Sequence, residues 1–162
     1  MKCITVMNKY TITLVFFTFS HFISYSQKFS LGDKLSPNET EFKLLGISSA
    51  TNVATYKYIG KITDKYFFNR QVGDIIVGFK YGIVVTTIYN LIPEKGDIGV
   101  PKSLVDLVQA TLPFPLAYRD GLWGVIIDNE RITISRDNNP LTFKKDRIMF
   151  MSTVKTSILS ND

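Results

Sequence analysis

Two stretches of this chain set β-branched and aromatic residues on either side of a tight connection, and they restrict its fold more than any other feature. Ile75-Ile76-Val77-Gly78-Phe79 and Ile83-Val84-Val85-Thr86-Thr87-Ile88 flank Lys80-Tyr81-Gly82. Leu122-Trp123-Gly124-Val125-Ile126-Ile127 and Arg131-Ile132-Thr133-Ile134-Ser135-Arg136 flank Asp128-Asn129-Glu130. Runs of this kind, closed by short polar or glycine-bearing links, form antiparallel hairpins. In the last of them Ile132 and Ile134 point one way, while Arg131, Thr133, Ser135 and Arg136 are polar, which predicts one buried and one wet face. Val53 to Ile59 reads as a further strand, Tyr66-Phe67-Phe68 as a short one, and Arg147-Ile148-Met149-Phe150-Met151 as a final one.

Helix signals stand before each hairpin. Ser36-Pro37-Asn38-Glu39 resembles a capping box with proline at the first helical position. The helix it predicts carries Phe42 and Leu45 on one face and stops at Gly46. Ser103 and Asp106 form a second box, with Leu104, Leu107, Val108 and Leu112 at helical spacing and Pro113 and Pro115 ending the run. Pro93-Glu94-Lys95-Gly96 reads as a turn and Asp137-Asn138-Asn139-Pro140 as a loop. The two hairpins overlay with Gly73 on Gly121, Val77 on Val125, Phe79 on Ile127, Val84 on Ile132 and Asn90 on Asn138. The expected class is therefore α+β: an antiparallel β-sheet with two short helices packed on one face. The overlay allows a tandem helix-plus-hairpin duplication, although any two hairpins would share its apolar periodicity.

The first 26 residues have the order of a cleavable secretory signal. Lys2 and Lys9 precede the apolar run Ile12–Phe19, and Ser24 and Ser26 place small residues three and one positions before a cut at Gln27. A membrane span needs about 18 or more mostly apolar residues; this run is shorter and diluted by Ser, Thr and His. The expected division is a signal at 1–26, one domain at 27–155 and a frayed tail at 156–162. Periplasm or extracellular space is the expected location, with no stable membrane insertion after cleavage.

Cleavage decides chemistry as well as address. Removing 26 of the 162 residues leaves 136, enough for one core. It also removes the only histidine, His21, and the only cysteine, Cys3. Catalysis by Ser-His-Asp or Cys-His is then excluded, as are disulfides and ordinary zinc sites. The net charge of +5 falls to about +3 without Lys2 and Lys9. Basic residues are spread along the chain, and the densest cluster, Lys144-Lys145-Asp146-Arg147, is interrupted by an acid. Such a distribution argues against nucleic-acid binding.

Phe29-Ser30-Leu31-Gly32, leading into a short helix that ends Leu44-Leu45-Gly46, resembles the repeating unit of small envelope proteins, among them outer-membrane assembly lipoproteins and β-lactamase inhibitory proteins. The pattern covers residues 29–46 and is echoed at 99–112. It lacks a lipid-bearing cysteine after the signal and the disulfide cysteines. The resemblance implies a non-enzymatic domain that binds another protein on its sheet.

Asp64, Asp74, Asp120, Asp128, Glu130 and Asp137 are the acids available for carboxylate catalysis, and turn formation beside Gly or Asn accounts for nearly all of them. Asp128-Asn129-Glu130 and Asp137-Asn138-Asn139 lack the alternation and central glycine of a calcium loop. No metal ligand, catalytic residue or cofactor is assigned. Tyr, Trp and Arg dominate protein-binding hot spots, so the candidate binding residues are Tyr81, Tyr118, Arg119, Trp123, Tyr56 and Tyr58, with Tyr81 and Tyr118 foremost because they sit at a hairpin tip and in a loop. The expected function is an exported binding module with a protein partner. The alternatives are a carboxylate-dependent hydrolase of extracellular or cell-wall polymer and a carrier of small apolar ligands in a cavity lined by Phe and Tyr.

Overall fold

The computed structural model describes residues 29–136 and 146–154. The signal, the 137–140 loop, Lys144, Lys145 and the 156–162 tail of the sequence reading lie outside these residues.

Strand runs along the chain as β1 (Phe42–Ile47), β2 (Ala54–Tyr58), β3 (Tyr66–Phe67), β4 (Arg70–Lys80), β5 (Ile83–Leu91), then helix α1 (Lys102–Gln109), and β6 (Ala117–Arg119), β7 (Leu122–Ile127), β8 (Glu130–Ser135) and β9 (Ile148–Val154). All pairings are antiparallel, in the order β1-β2-β4-β5-β9-β8-β7-β6, with β3 beside β4. Strand makes up 48% of the described residues and helix 7%, in one helix. The expected α+β arrangement with two helices on a sheet is thus overturned in favour of a mostly antiparallel β fold.

The missing helix is the one expected after Ser36. Asn38, not Ser36, organises that segment: its side-chain carbonyl accepts from the Glu41 N–H at 2.9 Å and its backbone carbonyl from the Phe42 N–H at 2.8 Å. One turn closes there, and the chain then extends as β1 against β2, Phe42 opposite Tyr58 and Ile47 opposite Ala54. A helix of some ten residues needs tertiary support to repay its nucleation; pairing with β2 satisfies the same backbone groups and sends Phe42 into the core. The resemblance to envelope proteins rested on this helix, and so did the duplication. The two hairpins lie on opposite sides of β9 in one sheet, although overlaid positions Val77, Val84, Val125 and Ile132 all face the same core.

The second helix forms with different ends. Its N-cap is Pro101, without a side-chain cap bond. Ser103 lies inside the helix, where Arg70 Nη2 approaches its Oγ at 3.4 Å, and Asp106 pairs with Lys102 at 2.6 Å. The helix stops at Gln109, before Pro113. Gln109 then holds the outgoing chain, accepting from the Leu116 N–H at 2.6 Å and donating to the Phe114 carbonyl at 3.1 Å. Leu104, Val105 and Val108 are buried against the sheet.

Residues directly opposite across antiparallel strands share a face. One face carries Val77, Phe79, Tyr89, Leu91, Phe150, Ile148, Ile132 and Ile134, and this is the core. Two aromatic clusters anchor it. Phe29, Phe42, Tyr56, Tyr58 and Phe79 meet edge-on or tilted at 5.2–6.2 Å. Phe67 stacks on Tyr89 at 4.4 Å and also meets Phe68 and Phe150.

The opposite face is buried too along the central strands, which corrects the expected wet face. Asp74, Asn90, Met149 and Ser135 form one cross-strand rung, and Ile76, Ile88, Met151 and Thr133 the next. Asp74, Asn90, Thr133 and Ser135 are all buried. Asp74 is therefore no turn residue. It follows Gly73 at a bulge in β4 and forms an ion pair with Lys57 at 2.5 Å.

Candidate functional site

Strand β6 ends the sheet, and the candidates at 118–123 gather there. Asp120 and Gly121 both have positive φ, 52° and 81°, which makes the two-residue link whose twist suits a hairpin. That link sets Tyr118 opposite Trp123, with ring centroids 5.0 Å apart and planes tilted by 47°. Trp123 packs on the core from its edge, whereas Tyr118 is 62% exposed. Arg119 sits beside it, fully in solvent, its guanidinium 3.3 Å from Asp120. Ala117, Tyr118 and Arg119 are all exposed, and among the described residues no strand pairs with the outer side of β6.

Tyr81 occupies the tip of the β4–β5 hairpin, 76% exposed and at φ 54°, followed by Gly82 at φ 74°. A left-handed conformation costs a non-glycine residue roughly 1–2 kcal/mol. Lys80 Nζ lies 5.6 Å from the Tyr81 ring centroid, a cation–π distance. Residues 32–35 run alongside this tip: the Gly32 N–H donates to the Val84 carbonyl at 2.8 Å and the Leu35 N–H to the Gly82 carbonyl at 2.9 Å.

Tyr56 and Tyr58 stand apart from both groups. Their shared face is the core face. Tyr58 is 3% exposed, its hydroxyl donating to the Lys61 carbonyl at 3.3 Å, and a Cβ at Gly60 would collide with its ring. The structure thus joins Tyr118, Arg119 and Trp123 at one sheet edge, puts Tyr81 at a separate hairpin tip, and sinks Tyr56 and Tyr58 into packing.

The acids are placed by structure-forming contacts. Asp120 and Asp128 take positive-φ turn positions, and Glu130 accepts a hydrogen bond from Ser152 Oγ. Among the described residues, no group of three or more His, Cys, Asp or Glu could hold a metal ion, and no helix is long and apolar enough to cross a membrane.

The turn read at Pro93–Gly96 opens a longer surface feature that the sequence does not show, the loop from Glu94 to Val100 clamped by two arginines. Arg70, buried in β4, reaches Asp97 Oδ2 at 2.8 Å and Glu94 Oε2 at 2.9 Å. Arg136 reaches the carbonyls of Asp97 at 2.5 Å and Gly99 at 3.1 Å. Between those two carbonyls Ile98 is 94% exposed. The turn signal Pro93-Glu94-Lys95-Gly96 and the isoleucine of Gly96-Asp97-Ile98-Gly99 are the local signals; neither points to the two arginines.

Compared with protein-family models, curated proteins and solved structures, the chain matches none.

Proposed function

We propose that the chain is an exported binding module that engages another protein through the β6–β7 end of its sheet, with no enzymatic chemistry and no cofactor of its own. The observation that carries this reading is the Tyr118–Trp123 pair on an edge strand whose outer backbone groups have no strand beside them among the described residues. An unpaired strand edge takes up an extended segment of a partner through main-chain hydrogen bonds, and flanking aromatic side chains supply selectivity. Tyr and Trp contribute large contact area at low entropic cost, and a neighbouring arginine adds directional donors. Export rests on the leader pattern at residues 1–26.

Photo-crosslinking tests both parts. A photoreactive residue at position 118 is expected to trap one defined protein in the exported fraction, and the product should begin at Gln27. A probe at Lys43, on the other edge of the sheet, should trap none. Equal trapping from both positions would contradict the assignment, and a chain that stays intracellular with its first 26 residues attached would contradict export.

A further inference from the structure

The loop at 94–100 is built in an unusual way for a surface connection. Its only large apolar side chain, Ile98, points into solvent and contributes almost nothing to the core. Yet the backbone on either side is held by buried or half-buried groups. Glu94 N–H donates to Asp97 Oδ2 at 2.9 Å and the Asp97 N–H to the Glu94 carbonyl at 3.1 Å, closing the turn from within. Arg70 fixes the same carboxylate from the core side at 2.8 Å. Arg136 is itself tied to Asp146 at 2.5 Å.

The Arg136 contacts straddle one peptide bond. A single nitrogen, Nη1, donates to the carbonyl before Ile98 and to the carbonyl after it. Were the Ile98–Gly99 amide hydrolysed, water adding to leave an Ile98 carboxylate and a Gly99 amine, both new ends would remain bound to one guanidinium. Gly96 and Gly99 have φ of 95° and 67°, and a Cβ on either would meet nothing within 4 Å, so the loop is open on both flanks. A prearranged, retained loop that presents one exposed apolar side chain, Ile98, has already met the ordering cost of binding.

From this geometry we propose that the loop is a protease-binding loop: Ile98 enters the specificity pocket of an endopeptidase that takes branched aliphatic side chains, and the clamps make the Ile98–Gly99 bond a poor one to cut. A membrane surface does not fit this loop, where Glu94 and Asp97 outnumber Lys95, Val100 packs on the core and Ile98 is the one exposed apolar side chain. This site is separate from the β6 edge and does not depend on it.

The test uses the full chain against a serine protease of elastase specificity, read with a chromogenic peptide substrate. The native chain should inhibit saturably, and Ile98→Asp should weaken inhibition by roughly 30-fold or more, the effect of losing a hot-spot residue. Ile98→Phe should transfer inhibition to a protease of chymotrypsin specificity. Arg136→Gln should turn the chain into a substrate cut between Ile98 and Gly99. Because Ile98 is almost wholly exposed, its two variants should fold like the native chain, which keeps the test decisive even if Arg136→Gln does not fold. No inhibition by the native chain, equal inhibition by Ile98→Asp, or native cleavage at Ile98–Gly99 as fast as in Arg136→Gln would overturn the proposal.

Discussion

Arg70 and Arg136 hold the same residue from two sides: Arg70 binds the Asp97 carboxylate at 2.8 Å and Arg136 binds the Asp97 carbonyl at 2.5 Å. One arginine lies buried in β4 and the other follows β8, so the 94–100 loop is fastened to two distant parts of the sheet.

Replacing Arg70 with Met would leave the Asp97 carboxylate, itself largely buried, without its cation. The expected loss is about 2–4 kcal/mol, read as a shift in the denaturant midpoint at unchanged slope. Arg70→Met combined with Asp97→Asn should cost clearly less than the sum of the two single changes. Strict additivity would mean that the ion pair carries no coupling.

The pairing of Phe67 with Tyr89, stacked at an interplanar angle of 4°, holds β3 over β5. Phe67→Ala should cost about 3–5 kcal/mol through lost burial and the cavity left among Tyr89, Phe68 and Phe150. Thermal unfolding measures this, and a loss below about 1 kcal/mol would mean that β3 does not pack there.

Thr133 Oγ1 and Ser135 Oγ are buried with no hydrogen-bond partner among the described residues. Removing an unmatched buried hydroxyl relieves a desolvation cost. Thr133→Val and Ser135→Ala should therefore leave stability unchanged or raise it by about 1 kcal/mol. A loss beyond about 1 kcal/mol in either would show that the hydroxyl is bonded.

Tyr81 holds a left-handed conformation that asparagine or glycine adopts more readily. Tyr81→Asn should raise the unfolding free energy by up to about 1 kcal/mol, the relief of that strain. A clear loss would show that the Tyr81 ring and Lys80 stabilise the hairpin tip by more than the backbone costs.

What could be read in advance follows from how local each signal is. The hairpins are visible in one sequence because the strands and their links are contiguous: Tyr81-Gly82 and Asp128-Asn129 carry the turn chemistry themselves. Residues 36–47 carry helix signals at Pro37 and Gly46, while β2, whose edge claims the segment, declares itself only in three dimensions. Asp74 sits beside Gly73 and so looked like a turn residue; its ion pair spans 17 positions in the chain, back to Lys57. Ser103 and Asp106 have cap spacing, yet Arg70 and Lys102 take those side chains instead. The loop clamps join residues 27 and 39 positions apart, and nothing near Asp97 announces them. Tyr118 and Trp123 could be placed beside a turn from sequence, but their position on the sheet's last strand depends on β9 pairing with β5 and β8.

The most direct test of binding through the β6 edge is amide hydrogen exchange at Ala117, Tyr118 and Arg119, in the free chain and in the complex trapped through position 118. Strand addition predicts slowed exchange in the complex at the β6 amides that point away from β7, with little change along β1. Unchanged exchange at β6, or protection at β1 instead, would contradict it.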